Sequence, residues 1–127
     1  MTKTIVHTAM APLPVGPYSQ AVEFNGMLFC SGQIPINPKT GEIFKGSIEE
    51  QTQLVMRNIE AVLSANRMKF EDVVKTTIFL ADMNDFAKVN AVYGEFFKSN
   101  PPARSTVQVA RLPKDAQVEI EVVAGRG

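Results

Sequence analysis

The chain has 127 residues, enough for one hydrophobic core and too few for two, with 45% apolar and 20% charged residues. Thirteen basic residues balance thirteen acidic ones and no run of like charge occurs, so the electrostatic footprint of a nucleic-acid or anionic-membrane binder is missing. The one cysteine, Cys30, excludes an internal disulfide, and with one histidine in the chain there are too few ligands for a His/Cys metal site. The start, Met1 to His7, has no long apolar run, and nowhere do about 18 apolar residues follow one another. The expectation is a single cytosolic domain over residues 1–127.

Thr4 to His7 is short and β-branched and reads as an edge strand. Pro12, Pro14, Gly16 and Pro17 then enforce a loop. Tyr18 follows it, either as a half-buried aromatic at a strand entrance or as a ligand contact. Ser19 to Phe24 and Met27 to Ile34 flank Asn25-Gly26, the pair suited to the two positive φ angles of a type I′ turn, which predicts a hairpin. The second of these strands is apolar on both faces until Ser31-Gly32, where the glycine marks either a bulge or the close approach of a ligand to the backbone. Cys30 reads as a small core hydrophobe, with no neighbouring histidine to activate it.

A turn falls at Pro38-Lys39-Thr40-Gly41. Ser47 and Glu50 form a capping box that opens a helix to about Asn66, with Ile48, Val55, Ile59, Val62 and Leu63 as its apolar stripe. Val73 to Leu80 is dense enough in β-formers on both faces to be a central strand. Asp82 or Asn84 caps a second helix to about Lys98, with Phe86, Val89, Tyr93, Phe96 and Phe97 at helical spacing. Asn90 interrupts that stripe and must sit at its edge or find partners.

Pro101-Pro102 ends the helix and fixes the entry to a strand in which Arg104, Thr106 and Gln108 share one face. A guanidinium at the head of a polar strand face is suited to hold a carboxylate in two parallel hydrogen bonds. Val118 to Val122 alternates likewise, with Glu119 and Glu121 on one face. If these two strands form a hairpin whose facing residue numbers sum to an odd value, Arg104, Thr106, Glu119 and Glu121 share one side. That places an anion clamp, a hydroxyl and a base together; the bland alternative is a solvated face with a surface ion pair worth ~0–1 kcal/mol.

The element order predicts an α+β fold, a mixed sheet of five or six strands with two helices on one face. The other face then carries apolar residues together with the Arg104 and Glu119 row, and self-association is the economical way to cover it.

Taken together, Gly16-Pro17-Tyr18, Ser31-Gly32-Gln33-Ile34-Pro35, Asn37-Pro38-Lys39-Thr40-Gly41, Val74-Lys75-Thr76-Thr77, Pro102-Ala103-Arg104-Ser105, Ala110-Arg111-Leu112-Pro113-Lys114 and Val118-Glu119-Ile120-Glu121 resemble the Rid (reactive intermediate deaminase, YjgF) family from about Thr4 to Ala124. The resemblance implies a chorismate-mutase-like protomer, a homotrimer with clefts between subunits, and no cofactor or metal. It implies hydrolysis of enamine and imine intermediates of the 2-aminoacrylate type, released by pyridoxal-phosphate enzymes, to 2-keto acid and ammonia. By matching motif, Arg104 would hold the substrate carboxylate, Glu119 would activate or position water, and Tyr18, Ser31, Gly32 and Asn90 would line the cleft. Thr106 stands where many relatives carry cysteine, which removes any thiol mechanism at that position. Two other readings stay open: a regulatory module that binds small carboxylates without turnover, and an RNA-cleaving translation inhibitor, which the neutral charge argues against.

Overall fold

The computed structural model describes residues 2–126. In chain order the elements are β1 (Thr4–Val6), β2 (Ala21–Phe24), β3 (Met27–Cys30), α1 (Ile48–Ala65), β4 (Val73–Leu80), α2 (Phe86–Gly94), β5 (Ala103–Gln108) and β6 (Val118–Gly125). The strands form one mixed sheet in the order β1-β2-β3-β6-β4-β5, antiparallel throughout except for the parallel pair β4 and β5. This is the expected α+β class.

Local chemistry sets the element boundaries. Asn25 and Gly26 take φ of 56° and 78°, which closes the β2–β3 hairpin in the register Phe24 to Met27. Ser47 Oγ accepts from the Glu50 amide at 3.1 Å while Glu50 Oε1 accepts from the Ser47 amide at 3.0 Å, so both halves of the α1 capping box are made. Asp82, not Asn84, supplies the cap before α2: its Oδ1 accepts from the Asn84 amide at 2.9 Å across one turn of 3₁₀ helix. α2 stops at Gly94, short of Lys98, yet Phe96 and Phe97 beyond it still pack on Phe70, with ring centroids 5.2 and 5.4 Å apart.

The core lies on one side of the sheet. Leu28, Ile78, Leu80, Val118, Ile120 and Val122 pack there against Val55, Met56, Ile59, Val62 and Leu63 of α1 and Val89 and Tyr93 of α2. Cys30 is in the same cluster, and burial pushes its thiol up to about 12, so it is no nucleophile near neutral pH. The opposite side has no helix. Phe29 and Val107 stay 50% and 42% exposed on it, beside the half-buried Phe79 and Val123.

Ser47→Ala removes the side-chain half of the α1 cap and is expected to cost about 1 kcal/mol. Urea denaturation should show the midpoint falling with an unchanged slope; an unchanged midpoint would mean that tertiary packing alone fixes the start of α1.

Candidate functional site

The last two strands are not a hairpin. β4 lies between them, parallel to β5 and antiparallel to β6. Thr76 pairs with both Arg104 and Val122, and Ile78 with both Thr106 and Ile120, so Arg104 and Thr106 point to the helix side. Thr77 pairs with Glu121 and Phe79 with Glu119, so both glutamates point to the uncovered side. Arg104 and Glu119 therefore occupy opposite faces of the sheet, and the expected shared row of Arg104, Thr106, Glu119 and Glu121 does not exist within one chain. The alternation along each strand is as read from sequence; the inserted central strand changes how the two are phased.

Two groups of predicted residues result. On the uncovered side, Tyr18, Ser31, Gly32 and Glu119 line a cavity of about 720 Å³ whose walls include Leu13 and Ile34. Its floor is built by a break in β3. The strand stops at Cys30 and returns only as the Gln33–Ile120 bridge, and Gly32 sits between. A Cβ added to Gly32 would overlap the Glu119 carboxylate, standing 2.8 Å from its Cδ and 3.0 Å from its Cγ. The glycine thus accommodates a neighbouring side chain, an option beyond the bulge and the ligand approach read from sequence. Burial, with a smaller contribution from the Glu121 charge, raises the Glu119 carboxyl above the usual glutamate range.

Ser31 Oγ donates to the Ser19 carbonyl at 2.6 Å, tying the break in β3 to the segment that carries Tyr18. The same segment is anchored by buried Gln20, which accepts from the Thr8 amide at 2.8 Å and donates to the Thr8 and Pro12 carbonyls at 2.9 Å each. Nothing in sequence marked Gln20; an amide satisfying loop backbone is visible only once the loop is folded. Tyr18 itself is 51% exposed at the rim.

On the helix side, at the β5 edge, Arg104 Nη1 donates to Asn90 Oδ1 at 2.7 Å, which is where the polar interruption of the α2 stripe finds its partner. The guanidinium carbon lies 5.0 Å from the Tyr93 ring centroid and 5.5 Å from that of Phe86. Thr106 borders a shallow depression with Met83, Phe86 and Arg104, and its hydroxyl is buried without a hydrogen-bond partner among the described residues. Also among the described residues, no cluster of three or more His, Cys, Asp or Glu side chains could hold a metal ion, and no helix is long and apolar enough to cross a membrane.

The family model described as Endoribonuclease L-PSP matches residues 8–125. A RutC family protein of Pyrococcus horikoshii is 54% identical over 122 residues, covering 96% of this chain and 97% of that protein. Among solved structures, YyfA of Yersinia pestis, from the conserved Rid protein family, superposes with a TM-score of 0.96 at 51% identity, covering 98% of this chain and 100% of that one. E. coli TdcF, solved with bound serine, superposes with a TM-score of 0.93 at 45% identity, covering 98% and 99%.

The raised Glu119 carboxyl has a sign that can be checked. An acid whose pKa is higher in the folded state binds extra protons there, so stability falls as pH rises from the ordinary glutamate range through the raised value. Glu119→Gln should flatten the stability profile in that window. Gly32→Ala should push the carboxylate outward and return its titration, followed by carboxyl carbon NMR, toward the ordinary range; unchanged titration would remove the argument for Gly32.

Proposed function

The chain belongs to the Rid (YjgF, endoribonuclease L-PSP) family, and from that premise we propose that it is a hydrolytic deaminase of 2-aminoacrylate-type enamines and imines, working as a homotrimer with its clefts between subunits. The observation that carries this reading is the separation of two complementary half-sites by the sheet. One holds an oriented guanidinium and the other a half-buried carboxylate, and neither alone can both bind and hydrolyse an imino acid. Subunits closing around the uncovered face offer the second half from a neighbour.

In such a cleft Arg104 takes the substrate carboxylate in a bidentate pair, with Asn90 holding one edge of the guanidinium. Glu119 accepts a proton from water as the water oxygen bonds to the iminium carbon. Glu119 then returns that proton to the nitrogen, the C–N bond breaks as an electron pair of the hydroxyl oxygen forms the carbonyl, and the hydroxyl proton leaves with the departing ammonia as ammonium. An iminium carbon is already electrophilic, so positioning and modest base help suffice. A carboxyl raised toward the working pH suits such a base. Tyr18, Ser31 and Gly32 border the reacting end, and Thr106 offers its free hydroxyl. The serine bound to TdcF carries a carboxylate and an α-nitrogen, which supports a small amino-acid-like ligand here. It also supports the second reading, binding without turnover, which Arg104 alone would satisfy.

A coupled assay generating 2-aminoacrylate or 2-aminocrotonate should show accelerated keto-acid release, and light scattering should give three times the 13.9 kDa protomer mass. Arg104→Ala should keep the assembly and lose about 10²-fold or more in turnover, as a charge-assisted contact and its orientation vanish together. Glu119→Gln should still bind small carboxylates while turnover falls ~10²–10⁴-fold. Refolding the two inactive variants together should restore activity to about a quarter of wild type, the statistical share of clefts in random trimers that receive one intact copy of each group. No recovery would overturn the shared cleft.

Thr106→Cys and Thr106→Ser should stay within about tenfold of the parent, a barrier change of ~1.4 kcal/mol or less. A large gain in Thr106→Cys from a barely active parent would favour binding without turnover.

A further inference from the structure

We infer that Tyr93 is a positioning residue for the Arg104 guanidinium, and that Thr76 is the strut that fixes its ring. The inference rests on the reading of Arg104 as a carboxylate clamp, and it concerns how an exposed arginine on an edge strand is kept in one orientation before any ligand arrives. Arg104 has no carboxylate partner among the described residues. Its orientation comes from uncharged groups: the Asn90 amide oxygen at 2.7 Å, the Tyr93 ring at 5.0 Å and the Phe86 ring at 5.5 Å. Residues 86, 90 and 93 follow one another at spacings of four and three along α2, so one helix face presents all three.

Tyr93 is the best-anchored of them. It is 5% exposed, and its hydroxyl lies 2.7 Å from Thr76 Oγ1 in a hydrogen bond with both ends buried. Thr76 is the β4 residue paired with Arg104, so the phenol is fastened at the same level of the sheet as the arginine it faces. Phe97 packs on the Tyr93 ring with centroids 4.8 Å apart. Burial also raises the Tyr93 phenol above its usual range, which keeps the ring neutral and its face available as a quadrupole rather than a counter-charge.

Neutral support has a specific consequence. A carboxylate beside Arg104 would fix it equally well but would compete with the incoming anion for the same edge. Here Nη1 makes the one hydrogen bond of the guanidinium found among the described residues, and the Nε and Nη2 hydrogens are left for a bidentate partner.

The test uses the full chain and two readouts that do not require turnover: affinity for pyruvate by calorimetry, and the side-chain Nε–H signal of Arg104 by ¹⁵N NMR. Tyr93→Phe keeps the ring but loses the Thr76 strut and should weaken pyruvate binding by a few-fold with a broadened Arg104 signal, whereas Tyr93→Leu removes the ring and should weaken binding by about tenfold or more. In the imine assay Tyr93→Leu should raise KM by more than it lowers kcat. Thr76→Val, which frees the phenol without touching Arg104, should broaden the same signal and weaken pyruvate binding by a few-fold, with Thr76→Ser restoring both. A folded Tyr93→Leu with wild-type affinity and an unchanged Arg104 signal would overturn the proposal. If Tyr93→Leu does not fold, an unchanged signal and affinity in Thr76→Val overturns it instead. Failure of the deaminase reading is separable: the wild type would then fail to accelerate keto-acid release while these variants still shift the Arg104 signal.

Discussion

The register of β4 against its two neighbours is the constraint on which the site depends. From Lys75 to Leu80 each of its residues pairs with β5 on one side and β6 on the other, so one strand decides which face Arg104, Thr106, Glu119 and Glu121 occupy. Thr76 and Ile78 are buried under the helices, and whatever pairs with them goes the same way; Thr77 and Phe79 face outward and take the glutamates with them. A slip of one residue in the β4–β6 ladder would bury Glu119 and Glu121 in the core, unpaired, at a cost far above that of exposing a valine, and one in the β4–β5 ladder would turn Arg104 to the uncovered face. The separation of Arg104 from Glu119 is thus held in place by the hydrophobic pattern of the central strands.

Around that frame the two half-sites are built differently. The Glu119 side is made by removal: β3 breaks at Ser31, Gly32 has no side chain, and the carboxylate lies where a Cβ would have been. The loop that walls the cavity is held by hydrogen bonds from Gln20 and Ser31 to backbone carbonyls, so its shape is set without helix or strand. The Arg104 side is made by stacking, with α2 supplying two aromatic rings and an amide on one face. A parallel β4-α2-β5 crossover puts that helix over that strand, and the antiparallel hairpin expected from sequence would not have done so.

What the sequence made legible follows from the range of the interactions involved. The Asn25-Gly26 hairpin, the Ser47–Glu50 capping box and the α1 stripe rest on residues within a few positions of one another, and each is found where the local pattern puts it. The central position of β4 was also legible, because a strand apolar on both faces needs cover on both. The neighbours of β5 and β6 were not, since two alternating strands joined by a short polar segment fit a hairpin as well as a crossing over the end of a third strand. That one non-local choice reversed the side on which Arg104 stands. Asn90 was visible as a break in a stripe, but the strand that would supply its partner was not. Tyr93 looked like any other member of an apolar stripe, and only Thr76 at its hydroxyl and Arg104 at its face distinguish it.

Opposite charges at one site tend to neutralise each other, and an arginine already bidentate to a glutamate has little left for a substrate carboxylate. This fold avoids that outcome by position: a layer of sheet lies between Arg104 and Glu119 in the protomer. Each charge is instead prepared by neutral surroundings, the guanidinium by rings and an amide, the carboxylate by partial burial that raises its proton affinity. In the assembly proposed above, the two meet only across a subunit boundary, with room between them for a ligand that carries an anion at one end and an electrophilic carbon at the other. The uncovered apolar face is then part of the same design, because the surface that drives association also brings the base of one protomer to the clamp of the next.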